Sequence, residues 1–296
     1  MTDFDSNQLD LPTEFSLPGP SRLAYSSHTP AASAKGRSNP PSNGAKNPGP
    51  AKSTAAAKST AEPTATSKTL SAHQLNRGDA VEWLRSLPSA SIDLVVTDPP
   101  YESLEKHRAV GTTTRLKKSK ASSNEWFQIF ANERFPELFS EVFRVLKKDR
   151  HFYLFCDQET MFVAKPLAEA AGFKFWKPIV WDKKKIGMGY HYRARYEFVL
   201  FFEKGKRKLN DLGQPDVIEV PRVYRGYPTE KPAGVAEVLV RQSTQAGELV
   251  IDPFMGSGST GVAALKLGRR FLGCDIADEA LKLSSERLAN ASVELP

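Results

Sequence analysis

The sequence predicts an α/β protein built on a mostly parallel sheet with helices on both faces. Three observations lead there. Apolar, β-branched runs of strand length alternate with segments of helical spacing from Gln74 onward, the order required by parallel strands joined through right-handed crossovers. Two of those runs, Ile92–Val96 and Leu249–Ile251, are each followed by an Asp-Pro pair, as if two strands covered on both faces leave the sheet in the same way. Gly256, Gly258 and Gly261 then spell G-x-G-x-x-G at the mouth of a helix-like segment, a turn that lets backbone approach a ligand closely.

Each element follows in order. Residues 1–70 are dominated by Ala, Ser, Thr, Pro, Gly and Asn and hold nine of the 21 prolines. Such a segment buries too little apolar surface to offset its ordering entropy, which predicts a disordered tail ahead of a domain over 71–296. Asn76-Arg-Gly-Asp79 reads as a turn capping a helix over Ala80–Leu87; Asp79 is then a helix cap or a ligand contact. The Ile92–Val96 strand leads to Asp98-Pro99-Pro100-Tyr101. Each proline ring holds the residue before it extended and removes a donor, so the turn is stiff and sits where open α/β sheets bind ligands. An ordinary structural Asp-Pro turn would look the same at this stage.

The stretch 102–124 is polar and carries Lys106, Arg108, Arg115, Lys117, Lys118 and Lys120. Such a cluster suits a phosphate backbone or a solvated surface. Trp126–Leu146 has helical spacing broken at Pro136, His151–Cys156 is a strand closed by Asp157, and Glu159–Ala171 is a helix stopped by Gly172. Phe173–Trp181 and Tyr196–Phe202 are the next strands. Between them, Lys183–Arg195 interleaves cations, glycines and rings, with Tyr192, Arg193 and Arg195 suited to bases and phosphates. Lys204–Tyr227 is a second basic variable stretch, so recognition loops are expected at about 102–124 and 183–227. Thr229 and Pro232 are good helix-entry and first-turn residues for a helix over Ala233–Thr244. Phe271–Cys274 is the last strand, ending at Asp275.

The net charge is +7, and the tail contributes seven Lys or Arg against five Asp or Glu, so the folded part is itself basic. The two cysteines fall inside apolar runs and read as reduced core thiols. The five histidines show no zinc-like spacing, and no metal is expected. No apolar run reaches membrane-spanning length and the first twenty residues lack a secretory pattern, so the expected location is cytoplasmic, in association with the nucleoid.

Asp98-Pro-Pro-Tyr101 and Phe254-Met-Gly-Ser-Gly258 together resemble the catalytic D/S/N-P-P-Y/F/W and cofactor F-x-G-x-G motifs of the amino-methylating DNA methyltransferases. With the catalytic motif first, the chain is similar to the β subgroup, over roughly residues 74–290. The resemblance implies a circularly permuted Rossmann-like methyltransferase fold with a seven-stranded sheet, and S-adenosylmethionine as cofactor. It implies that the Asp98 carboxylate and the Pro99 carbonyl accept the two hydrogens of an exocyclic amine, with Pro100 fixing the turn and Tyr101 stacking on a flipped-out base. The cofactor contacts it implies are Asp79, Thr229, Lys231, Pro232, Asp252, Pro253, Phe254, Gly256, Ser257, Gly258 and Asp275. Asp275 falls on the ribose hydroxyls, where the family more often has a glutamate, and Lys231 beside the cofactor carboxylate. Tyr192, Arg193 and Glu197 match a motif near the base pocket.

An aspartate in the first catalytic position points to N6-adenine in a specific site of double-stranded DNA. The alternatives are an N4-cytosine DNA methyltransferase, an RNA or protein amide methylase, a nicotinamide oxidoreductase carried by the glycine pattern and Asp275, and an inactive DNA-binding protein. Little more than one βαβ unit follows Gly256, which is short for a full dinucleotide sheet. Beyond duplex DNA, a second copy of the chain and a cognate restriction endonuclease are the partners considered.

Overall fold

A computed structural model describes residues 72–103, 128–187, 191–224 and 230–293. The predicted tail 1–70, the six cations Lys106, Arg108, Arg115, Lys117, Lys118 and Lys120, and Thr229 lie outside the described residues. The elements are β1 (His73–Arg77), α1 (Ala80–Ser86), β2 (Ile92–Thr97), α2 (Phe135–Val145), β3 (Leu146–Cys156), α3 (Gln158–Ala170) and β4 (Lys174–Asp182). They continue with β5 (Tyr196–Lys204), β6 (Val217–Glu219), α4 (Ala233–Ser243), β7 (Leu249–Asp252), α5 (Ser259–Lys266), β8 (Arg270–Asp275) and α6 (Asp278–Val293).

One sheet carries the strands in the order β1-β8-β7-β2-β3-β5-β4-β6. That is one more than the seven expected, through the three-residue edge strand β6 paired to β4. Every pairing is parallel except those of β5, which runs against both β3 and β4. The two faces of β2 divide the core: Ile92, which precedes an irregularity in the β2–β3 register, and Val95 pack with the inward faces of α1, α2 and α3, while Leu94 and Val96 pack with α4, α5 and α6. Burial of both faces explains why the strand reads as a continuous apolar run. Among the described residues, no helix is long and apolar enough to cross a membrane.

Three local expectations are corrected. Asn76 and Arg77 belong to β1, in register with Cys274 and Asp275, because an edge strand tolerates polar residues that hide its period. Pro136 does not break a helix; it occupies the first turn of α2, where its missing N–H costs nothing. Lys204 is not on a recognition loop but ends β5, with Nζ donating to the carbonyls of Phe143 at 2.5 Å and Leu146 at 2.6 Å. The reversal of β5 carries that end to the sheet edge opposite the carboxyl ends of the parallel strands.

At that opposite edge Asp93 is buried within the apolar run of β2. It accepts from Lys147 at 2.8 Å, Arg150 at 3.0 Å and the Leu249 N–H at 3.0 Å, tying β2, β3 and β7 together. Burial raises its carboxyl, but these donors outweigh that and hold it below the usual range.

Candidate active site

The parallel strands deliver Thr97, Cys156, Asp182, Asp252 and Asp275 to one edge of the sheet. Because β5 is reversed, it delivers its start, Tyr196 and Glu197, to the same edge. A cavity of about 560 Å³ opens there. It is lined by Asp98, Pro99, Pro100 and Tyr101 from β2, by Asp252, Pro253, Phe254, Gly256 and Ser257 after β7, and by Asp79, Lys231 and Asp275. The two Asp-Pro turns, far apart in sequence, therefore face one space.

The β2 and β7 turns are joined directly. Thr97 Oγ1 donates to Asp252 Oδ1 at 2.8 Å, and the Phe254 N–H donates to the same oxygen at 3.1 Å. Burial pushes the Asp252 carboxyl up to about 7. Its first role is thus to fasten the turns. The glycine turn is fixed in the same manner: the Gly256 N–H donates to Asp275 Oδ2 at 2.9 Å and the Ala277 N–H to Oδ1 at 2.9 Å. Gly258 has φ of 76° and caps α5, and Arg287 donates to the Ser257 carbonyl at 2.7 Å while pairing with Glu230 at 2.9 Å. Ser259 Oγ donates to the Lys231 carbonyl at 2.6 Å, so the turn and the entry to α4 move as one piece.

On the β2 side, the Pro100 carbonyl accepts from the Phe130 N–H at 2.8 Å and Tyr101 bridges to Phe130. Glu102 accepts from the Asn132 N–H at 2.9 Å, and Ser103 Oγ donates to Asp157 at 2.5 Å. These bonds fasten the described residues on either side of 104–127. Tyr101 is 7% exposed; burial, with Asp98 and Glu197 nearby, holds its hydroxyl well above the usual range and neutral.

Several expected roles are shifted by the geometry. Lys231 is not free for a cofactor carboxylate: its ammonium is paired with Asp98 and lies 3.4 Å from Glu197. Asp79 is the N-cap of α1, accepting from the Val81 and Glu82 N–H groups, and it also takes a two-pronged contact from Arg134 at 2.8 and 2.9 Å. Arg134 holds it below the usual range. Gly258 and Pro232 are absent from the cavity lining; they cap α5 and α4 instead. Arg195 grips Asp182 at 2.6 and 2.7 Å, which makes it a staple across the base of its loop, whereas Tyr192 and Arg193 are exposed. Lining residues that periodicity did not single out are Arg134, Trp181, Arg222 and Tyr224. The cue for the last two was the basic and aromatic mix after Lys204.

Comparison with known proteins agrees with this arrangement. The family model described as DNA methylase matches residues 92–286, from the start of β2 into α6. YubD of Escherichia coli (strain K12), described provisionally as a methylase, is 31% identical over 218 residues, covering 72% of this chain and 88% of its own. The DNA adenine methyltransferase YhdJ of the same organism is 27% identical over 261 residues, covering 75% of this chain and 84% of its own. A provisionally described DNA modification methylase of Thermus thermophilus, solved with S-adenosyl-L-methionine, superposes with a TM-score of 0.55 at 25% identity, covering 75% of this chain and 97% of that one. The residues present suit that cofactor: Asp275 is an acid for hydroxyls, Phe254 and the exposed Ile276 are apolar surface for a ring, and the glycine turn keeps side chains away. The chain belongs to the DNA methylase family and uses S-adenosyl-L-methionine as its cofactor.

Proposed function

We propose that the protein methylates the exocyclic N6 amine of an adenine flipped out of double-stranded DNA at a specific site. The observation that carries this reading is Asp98-Pro99-Pro100-Tyr101 at the end of β2, sharing one cavity with the glycine turn and Asp275. The amine of adenine is a poor nucleophile because its lone pair is delocalised into the ring. Two acceptors, the Asp98 carboxylate and the Pro99 carbonyl, draw its hydrogens aside and localise that lone pair. The Pro99 role is the one the family resemblance implies, and the neighbouring Pro100 carbonyl is engaged by the Phe130 N–H. Bound S-adenosyl-L-methionine supplies an electrophilic methyl group. Positioning and fixed dipoles supply most of the remaining rate.

Extruding the base costs a few kcal/mol, and stacking on Tyr101 returns roughly 1 to 3 kcal/mol without reading sequence. Phosphate contacts are assigned to the cations of 102–124 and base reading to the exposed rim around Tyr192, Arg193 and Tyr224. Adenine is favoured over cytosine by the aspartate at position 98 and by the relative named as an adenine methyltransferase. The test is mass spectrometry of nucleosides from DNA methylated in vitro, together with the Asp98→Ala variant. N6-methyldeoxyadenosine that disappears with the variant is expected. N4-methyldeoxycytidine alone would overturn the choice of base, and no methylated nucleoside would overturn the reading.

A further inference from the structure

Asp98, the acceptor assigned above to the target amine, is already occupied by an amine: the Lys231 ammonium donates to its Oδ2. The same ammonium lies 3.4 Å from Glu197 Oε2, while Glu197 Oε1 holds Lys183 at 2.6 Å. All four side chains are between 15% and 25% exposed. They come from four separate places in the chain, the end of β2, the residue after β4, the start of β5 and the entry to α4. The result is an alternating row of two cations and two anions.

A neutral exocyclic amine is a weaker partner for a carboxylate than an ammonium is. If Lys231 sat wholly on Asp98, the base would compete at a disadvantage. If Lys231 were missing, Asp98 would face Glu197 in a largely buried site and tend to take up a proton, losing its ability to accept. Glu197 offers the ammonium a second anion within reach, and Lys231 together with Lys183 keeps Glu197 ionised against its burial. Resting on the assignment of Asp98 to the target amine, we infer that Glu197 is a positioning residue. It shares Lys231 with Asp98, so that Asp98 stays ionised yet can yield its oxygen to the base. The charged and titratable groups that face Asp98 are Lys231, Glu197, Lys183, Tyr101, Cys156 and Asp252. Tyr101 and Cys156 are kept neutral by burial, which leaves the lysines, Glu197 and Asp252, whose carboxyl is pushed up to about 7, to set the balance around physiological pH.

Two measurements test this. In cofactor-free protein with 13C-labelled aspartate carboxyls, Asp98→Asn identifies the Asp98 resonance, and its titration is followed in Glu197→Gln and Lys231→Met. The midpoint should fall in the first and rise in the second, each by roughly one pH unit. In methyl transfer to plasmid DNA, Glu197→Gln should lower kcat roughly 10- to 100-fold and move the acid limb of its pH profile downward, with Glu197→Asp restoring most of the rate. In a Lys231→Met background the same Glu197→Gln change should no longer lower kcat and should partly restore it near neutral pH, because Glu197 then acts on Asp98 only as a facing like charge. Equal loss in both backgrounds, or an unmoved Asp98 midpoint, overturns the inference. The titration uses neither DNA nor cofactor, so if the wild type transferred no methyl group the function reading would fail while the midpoints still decided the charge network.

Discussion

Asp252 is 4% exposed and its carboxyl is pushed up to about 7 by burial. The unfolded chain releases that proton near pH 4, so between about pH 4 and pH 7 the native state holds a proton the unfolded state has lost. Stability contributed by this group is therefore present at low pH and lost as pH rises through the folded value, by at most about 4 kcal/mol. Asp252→Asn keeps an oxygen for Thr97 and Phe254. It should melt a few degrees above wild type at pH 8, with the gain vanishing toward pH 4.5. A gain or loss that does not change with pH would place the cost elsewhere. Asp93 is the opposite case, a buried acid held low by three donors, and it helps the fold above its ordinary range. Neither difference is legible along the chain, since both aspartates stand in similar apolar runs. Their partners, Thr97 for one and Lys147 and Arg150 for the other, come from strands that only the sheet order makes neighbours. The motif residues Asp98 to Tyr101 and Phe254 to Ser257 were legible, because a two-proline turn and a glycine turn each impose their geometry locally. The pairing of Lys231 with Asp98 was not, being a contact across 133 positions of sequence.

Among elements, the joint between the glycine turn and α5 is tightly constrained. Gly258 has φ of 76°, and a methyl group there would meet Leu288 and Ser284 of α6 at 2.9 Å. A Gly258→Ala change is thus strained in the backbone and crowded at once. It should cost about 1 to 3 kcal/mol of stability and raise the KM for S-adenosyl-L-methionine, since the turn is braced by Asp275 and Arg287. Thermal melting and steady-state kinetics check both, and a variant with wild-type values in each would mean the turn is loose. Most strands and helices announced themselves through their period. The polar first half of β3 did not, because Lys147 and Arg150 serve Asp93 there and mask the alternation. The direction of β5 was also hidden, since apolar patterning carries no sign along the chain.

At the scale of the molecule, three α-helices among the described residues pack on each face of the sheet, and the family match begins at residue 92. The first 70 residues have a composition with little to bury. Deleting them should leave the melting temperature and the specific activity nearly unchanged, and a fall of many degrees would mean that the tail docks on the domain. The reversed strand has one further consequence. Because β4 and β5 are antiparallel neighbours, the segment between Asp182 and Tyr196 leaves and re-enters the sheet at a single point. Its base is closed by the Lys183 N–H on the Arg195 carbonyl at 2.9 Å and by the Asp182–Arg195 ion pair. The described residues beyond that clasp make no strand pairing, so a change of length there would not shift the register of any strand that holds Asp98 or Asp275. On the proposed assignment of base reading to this rim, one scaffold could in this way be outfitted for a new DNA word while its chemistry stays untouched.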